Sequence, residues 1–252
     1  MSDRIEQVNG VRWITPDWPA PPTVHAASTL RSGGVSGTPY CALNLGGHVG
    51  DDAAAVAANR KKLQQALALP ATPLWLTQVH GIDCVDATNH IAAIEADASF
   101  TTQTGVVSAV LTADCLPILL CDKNGGAVAA IHAGWRGLAA GVIESTITAM
   151  GEGRQLMAWL GPAIGAQRFE VGAEVRVAFL KHGGSAEAAF IPARAGHWWA
   201  DLYQLARIVL IKQGVSEVYG GQWCTASSRE HFYSYRRDGV TGRMATLIWM
   251  DA

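Results

Sequence analysis

Residues 111–137, LTADCLPILLCDKNGGAVAAIHAGWRG, decide how this chain is read. Two apolar runs flank DKNGG, where Asn124-Gly125 supplies the positive φ angles of a tight hairpin turn. Strands near 116–121 and 127–132 should then pair antiparallel. A two-residue Asn124-Gly125 turn sets Cys115 diagonal to His132 on one face, roughly 5–8 Å apart. A four-residue loop from Asp122 to Gly125 sets them directly opposite, whereas a three-residue loop changes the parity and parts them. Cys121 stands about 20 Å further along an extended strand and is read as core. Alternation turns Asp114 away from the face of Cys115, so its carboxylate is expected to hold loop backbone.

Outward from this stretch, 252 residues with 49% hydrophobic and 16% charged content can bury a large core. No charge run, repeat or low-complexity linker marks a cut point, so the expectation is a single α+β domain over residues 1–252. A net charge of -2 provides no global positive field, which argues against nucleic acid and anionic membrane surfaces as partners. Cys41, Cys84, Cys115, Cys121 and Cys224 are scattered without CxxC spacing, which argues against a disulfide framework or a zinc ribbon. MSDRIEQVNG has no apolar signal core, and no apolar run nears the roughly 20 residues that span a bilayer. A cytoplasmic chain acting as a monomer is the expectation.

In the first forty residues, Val24–Leu30 is the one strand expected. Asp51 or Asp52 caps a helix carrying Val56, Leu63 and Leu67 at helical spacing before Pro70. PLWLTQVHG (73–81), VVSAVLTADCLPILLCD (106–122) and GAVAAIHAGW (126–135) each read as a strand. GLAAGVIESTITAM (137–150) and GAEVRVAFLKHG (172–183) read as helices, with QLMAWL (155–160) a strand between them. Asp201 caps a helix that stops at Gly214, and the tail returns to strands around a long polar loop.

His80 ends its apolar run beside glycine, as His132 does beside Ala133-Gly134. Together His80, Cys115 and His132 offer two nitrogens and one sulfur, which suits zinc with a fourth position open. The same atoms suit a Cys-His nucleophile pair, with Cys115 attacking and His132 or His80 as base. Spacing leaves both readings open. Asp97 and Glu170 are candidates for proton transfer, while His25, His90, His182, His197 and His231 are read as surface or packing residues.

TQVHG, TADCLPILLCD and HAGWRG resemble the signature of the YfiH-like family, also called laccase-domain or polyphenol-oxidase-type purine nucleoside phosphorylases. The likeness continues through RSGGVSGTPYCALNLGGHVGDD, NRKKL, WLGPAIGAQRFEVG, DLYQLAR and FYSYRRDGVTGRMA, covering nearly the whole chain. It implies a four-layer αββα sandwich with mixed sheets and a zinc site at His80, Cys115 and His132, with copper the less favoured metal. It also implies phosphate-dependent cleavage of adenosine, inosine and S-methyl-5'-thioadenosine to free base and sugar 1-phosphate, with accessory adenosine deaminase activity. Substrate-binding candidates in the matching motifs are Arg31, Asn44, His48, Arg60, Arg136, Tyr235 and Arg236, with Trp135 a further stacking surface. Competing expectations are a cysteine hydrolase or amidase acting on peptidoglycan precursors, a copper polyphenol oxidase, and a non-catalytic zinc module.

Overall fold

A computed structural model describes residues 3–89, 94–181 and 183–251; His90 and His182 lie outside them. Its frame is two stacked sheets. The first runs β1 (Arg4–Val8), β2 (Val11–Thr15), β3 (Val24–Thr29), β14 (Met244–Met250), β6 (Val107–Thr112) and is antiparallel throughout. The second is mixed, in the order β13 (Glu217–Gly220), β9 (Leu156–Leu160), β7 (Leu116–Asp122), β8 (Val128–Ala133), β5 (Ala98–Thr101), β4 (Cys84–Asp86). A small third sheet contains β10 (Glu170–Gly172), β12 (His197–Ala200) and β11 (Phe190–Pro192). The helices are α1 (Ala53–Ala66), α2 (Trp135–Ala140), α3 (Val142–Met150), α4 (Ala173–Leu180), α5 (Leu202–Lys212) and α6 (Tyr235–Asp238).

Side-chain alternation sorts these elements into four layers. β7 is buried along its whole length, yet Leu116, Ile118 and Leu120 join a core shared with α3, α4 and α5, while Leu119 and Cys121 join one between the sheets. The outer face of the first sheet buries Trp13, Leu111 and Leu247 against Leu63 of α1. The order is therefore α, β, β, α. Asp52 caps α1 through the Ala54 amide and Asp201 caps α5 through that of Gln204, as expected of both aspartates.

The decisive hairpin forms in the register of the two-residue turn, pairing Leu116 with Ala133, Pro117 with His132 and Cys121 with Val128. Cys115 and His132 are diagonal. Cys121 is fully buried in the core between the sheets.

Four expected elements are corrected. The opening segment holds a hairpin as well as β3, because Asn9 (φ 50°) and Gly10 (φ 84°) turn β1 back onto β2. β1 is exposed along its length, so it carries no apolar alternation to betray it. Residues 106–122 are two strands: Asp114, at φ 94°, breaks the run and sends β6 and β7 to different sheets. Residues 73–81 form single bridges at Leu74 and Thr77 in place of a strand. There the Gln78 carboxamide imitates a peptide, donating to Leu111 O at 2.8 Å and accepting from Leu111 N at 2.7 Å. The helix over 137–150 divides at Gly141, whose φ of 109° ends α2 before α3 starts.

Candidate metal centre and its cavity

Where β6 parts from β7, the two sheets leave a cavity of about 570 Å³. Cys115 stands at the break, just before β7, and His132 comes from the end of β8. His80 arrives on the irregular segment, with a left-handed backbone (φ 61°). The ligand atoms of the three lie within 4.8 Å of one another, and Cys115 Sγ is 3.8 Å from His80 Nε2. The imidazoles meet edge to face at 4.8 Å between centroids.

Asp97 assembles the trio. Fully buried, it accepts the amides of Val79 at 3.1 Å, His80 at 3.0 Å and Gly81 at 2.6 Å, and pairs with His132 Nδ1 at 2.7 Å. One carboxylate thus pins the His80 segment and turns His132 Nε2 toward Cys115, the arrangement by which outer carboxylates orient metal-binding imidazoles. Asp97 stands behind the ring, outside the cavity lining, where it positions both histidines. Gly134 provides the necessary room: a Cβ there would lie 2.7 Å from His80 Cδ2 and 3.2 Å from Cys115 Sγ.

The charges reinforce one another. Burial pushes the Cys115 thiol up, but the adjacent His132 imidazolium and hydrogen bonds from both histidines reverse the shift and bring it to about 6, from 9.0. Burial would lower His132, yet the Cys115 thiolate and the Asp97 carboxylate raise it to about 9, from 6.5. A thiolate between two imidazoles, with a shared outer carboxylate, is a donor set that fits a zinc-like cation.

Around the trio, Ile164, Phe169, Leu202 and Trp135 supply apolar wall, and His48, Arg136, Arg236, Arg243 and Tyr235 supply polar wall. Burial, then the charges of Arg243 and Arg60, lowers the His48 pKa and favours its neutral ring. Asp114, itself a lining residue, ties this wall together. Its carboxylate accepts from Thr225 Oγ1 at 2.5 Å, Ser234 Oγ at 3.0 Å and the Arg236 amide at 2.7 Å, the loop-holding role alternation assigns it.

Of the sequence candidates, His48, Arg136, Tyr235 and Arg236 line the cavity with the trio. Arg31, Asn44 and Arg60 stand outside its wall and serve the frame. Arg31 donates to the carbonyls of Cys41 and Arg229, and Arg60 donates to that of Leu45 while covering the Trp75 ring. Asn44, fully buried, accepts from the amides of Gly46 and Arg243. Glu170 pairs with Arg194 at 2.5 Å in an adjoining groove. Sequence reasoning missed Gln78 and Arg243 as wall residues, although both stand inside motifs that carry the resemblance.

The family model described as multi-copper polyphenol oxidoreductase laccase matches residues 25–251. A Pseudomonas aeruginosa protein named purine nucleoside phosphorylase PA4543 is 52% identical over 241 residues, covering 95% of this chain and 98% of that one. The Escherichia coli protein named purine nucleoside phosphorylase YfiH is 51% identical over 239 residues, covering 94% and 98%. Among solved structures, Neisseria meningitidis NMB0706 superposes with a TM-score of 0.92 at 50% identity, covering 95% of this chain and 99% of that one. YlmD from Geobacillus stearothermophilus superposes at 0.91 with 29% identity and full coverage of both chains.

Proposed function

The chain belongs to the YfiH-like, laccase-domain family, and from that premise we propose that it is a zinc-dependent purine nucleoside phosphorylase acting on adenosine, inosine and S-methyl-5'-thioadenosine, with accessory adenosine deamination. One observation carries the reading: the His80–Cys115–His132 donor set opens into the same cavity as three guanidinium groups and an aromatic wall. His80, Cys115 and His132 would hold the metal. When bound, it supplies Lewis acidity to substrate or water oxygens.

Phosphorolysis joins an oxygen of hydrogen phosphate to the sugar C1' as the C1'–N9 bond breaks, and the departing purine takes up the hydrogen-phosphate proton, giving the free base and the sugar 1-phosphate. Arg243 neutralises the incoming phosphate and holds it under the sugar, where guanidinium hydrogen bonds are strong. Trp135 and Tyr235 stack on the purine, and Ile164 and Leu202 keep water from the sugar as it gains positive charge. His48, favoured in its neutral form, accepts or shares a proton at the polar wall. Asp97 keeps His132 in the tautomer with Nδ1 protonated.

The name of the family model suggests copper. A His2Cys set also suits a single copper, but among the described residues it is the one group of three metal-ligating side chains, whereas a multicopper centre needs several more imidazoles. The second reading, a cysteine hydrolase, is favoured by Cys115 Sγ standing 3.8 Å from His80 Nε2.

The test is base release from the three nucleosides, with and without phosphate, on metal-quantified wild type and Cys115→Ser. Turnover that needs phosphate and disappears in the variant is expected. Release without phosphate, with a covalent adduct on Cys115, would establish the hydrolase instead.

A further inference from the structure

The cavity above the trio adjoins a second one of about 430 Å³, and Trp135, Arg136, Phe169 and Arg236 line both. Beyond those residues the groove is lined by Glu174 at the start of α4, by Arg194 and by His197, the first residue of β12. Its charges are only partly matched. Arg194 is engaged with Glu170, and Arg236 donates to the Glu170 carbonyl at 2.9 Å. Arg136 lies over the Trp135 ring, and neither it nor the Glu174 carboxylate makes an ion pair or hydrogen bond among the described residues. The groove thus offers one unmatched cation and one unmatched anion that do not neutralise each other.

An inorganic anion would satisfy Arg136 and be repelled by Glu174. A group carrying both signs satisfies the two together, as an α-amino acid head does with its carboxylate and ammonium. A nucleoside with C1' over the trio and its base on the apolar wall has one end left to extend, the 5' carbon. The groove adjoins the cavity at the residues that line both, within reach of a 5' substituent.

We propose that the groove between Arg136 and Glu174 binds an amino-acid head group carried on the 5' carbon of the nucleoside, making zwitterionic 5'-thioadenosines a ligand class of this protein. The carboxylate lies toward Arg136 and Arg236 and the ammonium toward Glu174. The inference rests on the nucleoside reading of the main cavity.

The experiment is calorimetric titration of the metal-loaded full chain with S-adenosylhomocysteine, with S-methyl-5'-thioadenosine, and with the 5'-thioadenosines bearing a 3-aminopropyl or a 3-carboxypropyl chain. S-adenosylhomocysteine is expected to bind about tenfold more tightly than methylthioadenosine, with both single-charge analogues between them. Glu174→Gln should remove the gain of the aminopropyl compound and leave methylthioadenosine binding unchanged. Equal affinity for S-adenosylhomocysteine and methylthioadenosine overturns the inference and leaves the nucleoside reading standing. A carboxypropyl analogue as tight as S-adenosylhomocysteine overturns it in favour of a simple anion groove. Failure of adenosine, inosine and methylthioadenosine alike to bind removes the nucleoside reading, and the inference with it.

Discussion

Asp97 and His132 are joined by a 2.7 Å hydrogen bond between a fully buried carboxylate and an imidazole that is 3% exposed. Because the same carboxylate takes three amides from the segment bearing His80, it couples two ligands that are remote in sequence. Asp97→Asn should weaken metal binding by about 10–100-fold. Competition against a chelator measures this, and affinity within twofold of wild type would deny Asp97 the coupling role.

Gly134 separates crowding from backbone strain, since its φ of -61° suits any residue. Gly134→Ala should fold with a near-normal thermal midpoint yet displace His80, which its new methyl would approach to 2.7 Å at Cδ2. A ligand moved by about 1 Å should cost on the order of 100-fold in turnover. Metal stoichiometry and kcat/KM read together check it; normal values for both would show that the site tolerates the methyl.

Arg243 is expected to act on phosphate more than on the nucleoside. Arg243→Gln removes one charge-assisted contact, worth about 1.5–3 kcal/mol, and should raise the KM for phosphate about 10–100-fold. Steady-state kinetics with phosphate and nucleoside varied separately make the comparison. An equal rise in both constants would point to general damage.

Asp114→Asn replaces a carboxylate that receives three donors with an amide whose NH2 cannot accept. About 1–3 kcal/mol of stability should be lost, visible as a lower urea midpoint at unchanged slope. An unchanged midpoint would mean that the loop is held elsewhere.

In chelator-treated protein, the Cys115 thiol at about 6 and the His132 ring at about 9 define the range in which thiolate and imidazolium coexist. The lowered thiol stabilises the fold above its ordinary value of 9.0, and that contribution is lost as pH falls through about 6; the raised imidazole stabilises it below 6.5 and is lost as pH rises through about 9. Iodoacetamide labelling of Cys115 should hold a plateau across this range and decline below it. Cys84 and Cys121, which burial pushes up to about 12, should remain unlabelled. Peptide mass spectrometry distinguishes them, and a Cys115 rate that rises only near pH 9 would contradict the pairing.

The chain's local patterns determined the parts that depend on neighbours in sequence. Asn124-Gly125 specified a turn whose parity brings Cys115 and His132 to one face, Cys121 followed as core by distance, and Asp52 and Asp201 were legible as caps. His80 is a candidate from its setting beside glycine and is tied to the set by the family motif, while nothing near it specifies the left-handed bend that aims it. Tertiary structure decided the rest. The break at Asp114 depends on donors 111, 120 and 122 residues away, and Asp97 reaches 17 residues back and 35 forward to its two histidines. Arg243 becomes cavity wall because Asn44, 199 residues earlier, receives its amide. Periodicity and turn chemistry record the conformations of adjacent residues. Buried polar groups find partners only when packed layers bring remote segments together, so hydrogen-bond satisfaction in the folded core fixed what the site contains.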